Sequence, residues 1–177
     1  MYGIGRVKIK TNPFTVYVMQ NLAMAMLAVN SPPGTCRPFY CSAVGKAYLG
    51  TLPEDELDAC LMNQTFSKLT PATITSKEKL KEALRLGRSK GYYVDDGEMN
   101  PQVLCVAAPI INRIGRPNAS IGVSGPRREK ALEDLSALGA LIAGEANVIS
   151  LSLGCAPEPV MPAAEEKKPK NRGKCQG

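Results

Sequence analysis

The feature that most limits the fold is a pair of apolar runs separated by a short polar turn. LCVAAPII, residues 104–111, is a continuous apolar run with the length of a buried strand, and PNASIGVS, residues 117–124, is a second one. NRIGR, residues 112–116, has the composition of a hairpin turn. The two runs therefore predict an antiparallel hairpin inside a sheet, and GYYVD, residues 91–95, predicts a further short strand.

Helical patterns lie on both sides of these strands. Residues 41–50 and 53–61 have helix-start signals followed by apolar residues at helical spacing, and residues 77–90 form an amphipathic pattern that ends at a glycine. Residues 128–149 predict one long helix. Its expected apolar stripe consists of Leu132, Leu135, Leu138, Leu141, Ile142 and Val148. Strands bracketed by helices predict an α+β domain with helices packed on an antiparallel sheet.

The apolar residues near the N-terminus can be interpreted in two ways. A basic segment at residues 6–10 precedes the apolar stretch 16–30, an arrangement that resembles a signal peptide. Gln20 and Asn21 interrupt the apolar run, however, and the run is too short to span a bilayer. Two strands, TVYVMQ and MAMLAV with a turn between them, fit this stretch better, and no membrane association is expected.

The net charge of +6 lies at the two ends of the sequence. Arg6, Lys8 and Lys10 precede residue 11, and a lysine-rich segment occupies residues 165–174. The residues between them have no net charge, so the folded part shows no basic surplus that would indicate nucleic-acid binding. From about residue 157, the proline and charge content predicts a disordered tail.

The cysteine and histidine content excludes several kinds of chemistry. The six cysteines include no CxxC pair and there is no histidine, so neither a zinc site nor another metal site is predicted, and no cofactor is expected. A Ser/His or Cys/His dyad is impossible. Cysteines without a convincing export signal indicate reduced thiols in the cytoplasm.

Residues 94–105 set Asp95 and Asp96 ahead of Cys105, an arrangement that leaves several functions open. A nucleophilic cysteine needs a nearby cation or a helix N-terminus, whereas Cys105 begins an apolar strand. A metal site built from Asp95, Asp96, Glu98 and Cys105 would mix hard and soft ligands. A thiol that lines a pocket is the favoured interpretation.

The start of the first predicted helix is a second candidate feature. Small residues after Ser42 leave the backbone N–H groups of Ala43, Val44 and Gly45 accessible, and such groups attract anions. An ordinary helix start with nothing bound is an equal alternative. Lys46, one turn further, is expected to point to solvent.

CSAVGKAYLGTLPEDELDACL (41–61) and LTPATITSKEKLKEALRLGRSKGYYVDDGEMNPQVLCVAAPIINRIGRPNASIGVSGP (69–126) together resemble the effector-binding domain of the isocitrate lyase regulator (IclR) family of bacterial transcription factors. The resemblance implies a GAF-like or profilin-like antiparallel sheet with helices packed on it. It divides the chain into an unmatched basic segment (1–15), the effector-binding domain (16–156) and the tail (157–177). The family's winged helix-turn-helix has no counterpart here, so the domain is expected to be N-terminally truncated.

The resemblance also implies a function and a set of ligand-binding residues. These are Ala43, Val44, Asp95, Cys105 and Ser124. We expect a non-enzymatic sensor in a regulator of a catabolic operon, which self-associates to a dimer or tetramer and meets operator DNA only through the winged helix. Because Asp95 would repel a bare carboxylate, it should bind the other end of the effector, which favours a 2-oxo or 2-hydroxy acid. The alternatives are a cysteine-dependent enzyme on a related scaffold and a basic-tailed accessory protein that binds nucleic acid.

Three positions depart from the family pattern. Gly97 replaces a glutamate, and this is expected to loosen the loop over the pocket. Gly122 replaces a small polar residue, which would remove one ligand contact. Ser120 replaces alanine, with no expected consequence.

Overall fold

The computed structural model describes the backbone of residues 3–8 and 14–21, and the backbone and side chains of residues 33–127 and 135–156. Three sequence predictions fall outside these ranges. They are the strand MAMLAV, the first seven residues of the long helix, and the disordered tail, which all stay predictions.

Six strands form one sheet in the order β3-β2-β1-β6-β5-β4, and every neighbouring pair is antiparallel. The strands are β1 (Gly3–Lys8), β2 (Phe14–Asn21), β3 (Cys36–Pro38), β4 (Tyr93–Asp96), β5 (Val103–Ile111) and β6 (Pro117–Pro126). The helices are α1 (Ala43–Leu49), α2 (Glu54–Leu61), α3 (Lys77–Lys90) and α4 (Leu135–Ser152). The predicted α+β fold is confirmed. Strand β1 lies between β2 and β6, although the sequence had suggested that residues 1–15 stand outside the domain.

The β5–β6 hairpin has the turn that its sequence predicts. The N–H of Asn112 donates to the carbonyl of Arg116 at 2.9 Å, and the Asn112 side-chain oxygen accepts from the N–H groups of Ile114 and Arg116. Gly115 takes a φ of +72°, which favours glycine. The side chain of Asn112 thus replaces part of the sheet hydrogen bonding where the chain reverses.

Each face of the sheet carries its own core. We call the side that contacts α1 the α1 face, and the opposite side the α4 face. Adjacent tyrosines point to opposite faces, as alternation along a strand requires: Tyr93 packs with α1 and α3, and Tyr92 packs with α4. The α1 core also includes Phe39, Tyr40, Leu49, Leu57, Leu80, Leu84 and Ala107, whereas the α4 core includes Val106, Ala108, Ile110, Ala119, Val123, Ile142 and Ala146.

The predicted apolar stripe of the long helix is partly wrong. Leu141 and Val148 are 59% and 57% exposed, and the buried residues of α4 are Gly139, Ile142, Ala146 and Ser150. A Cβ atom at residue 139 would lie 2.4 Å from Cζ of Tyr92, so α4 approaches the sheet where it has no side chain. Close approach to an aromatic ring thus decides which side of α4 faces the sheet. By length and composition α4 could also cross a membrane, but its contacts with β5 and β6 make it a layer of this domain.

Candidate functional site

Asp95, Cys105 and Ser124 form a row across three adjacent strands on the α1 face. The strand register pairs Asp95 with Cys105 and Cys105 with Ser124, so the three side chains point to the same side of the sheet. The Ser124 hydroxyl donates to Sγ of Cys105 at 3.1 Å. Asp95 is 3% exposed, and the other two residues are partly buried. An acid, a thiol and a hydroxyl therefore converge in one largely buried row.

Helix α1 is fixed over the sheet beside this row. The buried Ser120 hydroxyl donates to the carbonyl of Val44 at 2.9 Å. A Cβ atom at Gly122 would lie 2.9 Å from Cβ of Ala107 and 3.1 Å from Cγ1 of Val44. The expectation that Ser120 has no consequence is therefore wrong, whereas the loss of a ligand contact at Gly122 stays a prediction. Gly122 leaves the space that α1 needs, and Ser120 connects the helix to the strand.

Ala43 and Val44 lie in the first turn of α1, as the sequence predicts. The Ser42 side chain accepts from the N–H of Gly45 at 3.2 Å, and the first helical bond runs from the Lys46 N–H to the Ser42 carbonyl at 2.9 Å. The N–H groups of Ala43 and Val44 precede that bond, so the helix itself gives them no acceptor. Since α1 has only seven residues, its dipole alone is a weak source of anion affinity.

The prediction that Lys46 points to solvent is wrong. Lys46 is 3% exposed, and its ammonium group forms a buried ion pair with Oε1 of Glu98. Lys46 lies three residues after Ala43, on the same side of a helix that packs flat on the sheet, and it therefore faces inward. That spacing was the available signal for it in the sequence. Oε2 of Glu98 is buried and has no hydrogen-bond partner among the described residues.

The loop after β4 is held by several hydrogen bonds, although Gly97 was expected to loosen it. The Thr70 hydroxyl donates to the Gly97 carbonyl at 2.7 Å, and the Thr73 hydroxyl donates to the Glu98 carbonyl at 2.6 Å. Oδ1 of Asp95 accepts from the Glu98 N–H at 2.7 Å. Gly97 has a φ of +74°, where a glutamate would be strained. Sequence analysis missed both threonines, because their partners are backbone carbonyls that leave no side-chain pattern.

Burial raises the pKa values of three titratable groups on the α1 face. Burial is the main cause that raises the pKa of Asp95 to about 7, against a smaller lowering by the Lys46 charge. Burial, reinforced by the carboxylate of Asp95, raises the pKa of the Cys105 thiol to about 12. The pKa of the buried Cys41 thiol likewise rises to about 12, again mainly through burial. Both thiols are protonated near neutral pH, which suits pocket walls and does not suit nucleophiles.

A cavity of about 190 Å³ lies between α3 and β4. Lys46 and Glu98 line it, and Ile74, Leu86, Tyr92 and Val94 contribute to its walls. None of the five residues predicted to bind a ligand lines it.

The sequence comparisons with known proteins agree on one family. The sequence model described as "Bacterial transcriptional regulator IclR C-terminal" matches residues 8–151. The HTH-type transcriptional repressor AllR of Salmonella typhimurium is 30% identical over 151 residues, which are 85% of this chain and 56% of that protein. The chain thus spans little more than half the length of this curated relative.

Solved structures show the same relationship. The repressor BlcR of Agobacterium tumefaciens superposes with a TM-score of 0.80 at 27% identity, over 88% of this chain and 61% of that one. The IclR protein of Thermotoga maritima superposes with a TM-score of 0.81 at 29% identity, over 86% of this chain and 62% of that one. From the order of its strands and helices, the sequence match and these superpositions, the chain belongs to the IclR family of bacterial transcriptional regulators, and the matched residues correspond to the family's C-terminal domain.

Proposed function

We propose that this domain binds a small carboxylate effector and is the sensing part of a transcriptional regulator that controls a catabolic operon. The row of Asp95, Cys105 and Ser124 is the observation that carries the proposal, because it brings an acid and two further polar groups together on a buried sheet surface. Buried polar groups of this kind give a small ligand its orientation, while the surrounding apolar residues exclude water.

The groups of the site divide between the two ends of such a ligand. The N–H groups of Ala43 and Val44 would donate to the carboxylate, and the Ser124 hydroxyl can turn from Cys105 toward the same group. Asp95 would meet the oxygen on the second carbon. This division favours a 2-oxo or 2-hydroxy acid over a simple fatty acid.

Binding without catalysis is the second part of the proposal. Alkylation by iodoacetamide at pH 7.5 tests it, because the thiolate is the reacting species and the exposed Cys36 is an internal reference. In the folded protein, Cys105 and Cys41 should react at least about tenfold more slowly than Cys36. A Cys105 that reacts faster than Cys36 would support the cysteine-enzyme alternative.

The third part of the proposal concerns the location and the DNA contact. Cys36, Cys41, Cys60, Cys105 and Cys155 are all free thiols, in keeping with the cytoplasm. We propose that operator contact belongs to a winged helix outside the matched residues. The purified 177-residue protein should then give no footprint on a defined operator, and any DNA affinity should be independent of sequence and fall steeply with salt.

Self-association to a dimer or tetramer is the fourth part of the proposal, and the outer side of α4 supports it. Leu141, Val148 and Leu151 are exposed there, and Glu145, also exposed, is the one charged residue between Leu135 and Ser152. An exposed apolar stripe that carries a single acidic residue matches a second copy of this helix better than a highly charged partner. Sedimentation at micromolar concentration tests this, and a clean monomer would contradict it.

Calorimetry tests the ligand assignment directly. We expect glyoxylate, pyruvate, lactate or a related two- to six-carbon acid to give saturable heat. Asp95→Ala and Ser124→Ala should each weaken binding by roughly 1–3 kcal/mol, because each leaves a buried ligand group unpaired. Asp96→Ala is the matched control, since Asp96 is paired with the exposed Arg127 outside the row. The assignment fails if Asp95→Ala binds as well as the parent, or if the tightest ligand is cationic or purely apolar.

A further inference from the structure

The buried charges around Asp95 do not balance. Lys46 on α1 is the cation that faces Asp95, and it already forms an ion pair with Glu98 from the loop after β4. The remaining titratable neighbours are the thiols of Cys41, just before α1, and Cys105 on β5. Among the residues whose side chains the structure describes, one ammonium group thus accompanies two carboxyl groups, and Asp95 has no cation of its own.

A carboxylate effector makes this imbalance worse. Its charge would enter beside Asp95, and a second uncompensated anion in a buried site costs several kcal/mol. Arg127, whose side chain passes beside Gly97, is exposed and bonded to Asp96 through both carboxylate oxygens, and Lys46 is the cation that acts on Asp95 among residues 33–127 and 135–156. The charge must therefore be balanced by something that enters with the ligand.

We propose that a monocarboxylate occupies this site together with one proton, which is held on Asp95. The inference rests on the proposed function and deepens it. The proton comes from solvent, and the neutral carboxyl group donates it in a hydrogen bond to the nearest ligand oxygen. The summed charge of Lys46, Glu98, Asp95 and the ligand then equals the charge of the three side chains before the anion enters. A dicarboxylate would bring a second charge that no group here neutralises, so the site selects monocarboxylates.

In the free protein, hydrogen bonds already hold the Asp95 carboxyl group in a position suited to this role. Oδ1 accepts from the N–H groups of Glu98 and Met99, which fixes the carboxyl group and leaves its other oxygen to carry the proton. Burial already raises the pKa of Asp95 to about 7, so protonation near neutral pH costs little. Above that pH the proton must be taken up on binding, and the affinity should fall about tenfold per pH unit.

Proton uptake can be measured on the unmodified protein. Pyruvate, lactate and 2-oxovalerate are titrated at pH 8 in two buffers with different ionisation enthalpies. The difference in binding heat should correspond to uptake of about one proton per ligand. In Asp95→Asn the uptake should vanish and the affinity should no longer depend on pH. Asp96→Asn, the exposed neighbour, should keep the full uptake.

A second titration tests the charge selectivity with acids of equal length. 2-Oxovalerate and 2-oxoglutarate share a five-carbon chain, and the dicarboxylate should bind at least about tenfold more weakly. Equal binding of 2-oxoglutarate would overturn the selectivity. Binding without proton uptake, or uptake that persists in Asp95→Asn, would overturn the proton assignment and leave the proposed function intact. If none of the acids binds, the proposed function itself fails.

Discussion

The two faces of the sheet use the same packing device and differ in what they bury. On the α1 face, Cβ atoms at Gly50 and Gly87 would lie 2.0 and 2.2 Å from atoms of the Tyr93 side chain. On the α4 face, the ring of Tyr92 takes up the corresponding space at Gly139. Both helix layers therefore approach the sheet through glycines that accommodate a tyrosine ring.

The two faces differ in the polar groups that they bury. The core of the α4 face is apolar, and its main buried polar group, the Ser150 hydroxyl, is satisfied by the Ala146 carbonyl and the Ile111 N–H. The α1 face buries Lys46, Asp95 and Glu98, which require mutual compensation. The α4 face therefore contributes mainly stability, whereas the α1 face gives up stability for a set of polar groups that can bind a ligand.

The largest expected effect comes from breaking the ion pair on the α1 face. Lys46→Met should lower the free energy of unfolding by about 3–5 kcal/mol, because it leaves the Glu98 carboxylate buried without a partner. Urea denaturation at pH 7 measures this. Lys79→Met, at an exposed position of α3, should stay within about 0.5 kcal/mol of the parent.

The double variant Lys46→Met/Glu98→Gln sharpens the interpretation. Since it removes both charges, it should be more stable than Lys46→Met alone. A Lys46→Met protein that loses less than about 1 kcal/mol would mean that Lys46 behaves as a surface lysine.

Asp95 should make stability depend on pH. Its folded-state pKa of about 7 lies above the ordinary aspartate value of 3.8, so the folded state binds the extra proton between these values. Stability of the parent should therefore fall as pH rises from about 4 to 7, by up to roughly 2–4 kcal/mol from this group, and stay level above. Asp95→Asn should remove that fall, which unfolding curves at pH 4.5 and pH 8 would detect. An unchanged pH dependence in Asp95→Asn would contradict the burial of an ionisable group there.

The sequence predicted the main strands and helices and three of the site residues. It did not predict the contacts that depend on how closely the elements pack. The β5–β6 hairpin and α3 follow from local patterns, and residues 95, 105 and 124 came from motifs in family order. The inward direction of Lys46 had a local signal in its spacing from Ala43. The roles of Gly122 and Ser120 instead depend on how α1 lies across the sheet. Those are tertiary distances, which no local pattern carries.

The close packing of the α4 face can be tested with two glycines of one helix. Gly139→Ala should cost about 1–3 kcal/mol, because the new methyl group would overlap the Tyr92 ring. Gly144→Ala meets nothing within 4 Å and should stabilise by about 0.5–1 kcal/mol through helix propensity alone. Thermal unfolding of both variants gives the comparison. Equal stabilisation by the two substitutions would mean that Tyr92 does not pack at residue 139.

The smallest expected effect concerns the outer side of α4, where sequence and structure disagree. Leu141→Ala should change the free energy of unfolding by no more than about 0.5 kcal/mol when measured in dilute protein, because Leu141 is 59% exposed. Ile142→Ala, at the adjacent residue with 6% exposure, should cost about 2–5 kcal/mol. A loss of several kcal/mol in both variants would mean that Leu141 packs in the core, as the sequence predicts. Leu141→Ala should instead weaken self-association in sedimentation, since the α4 face has its interior complete and only its outer side left for a second copy.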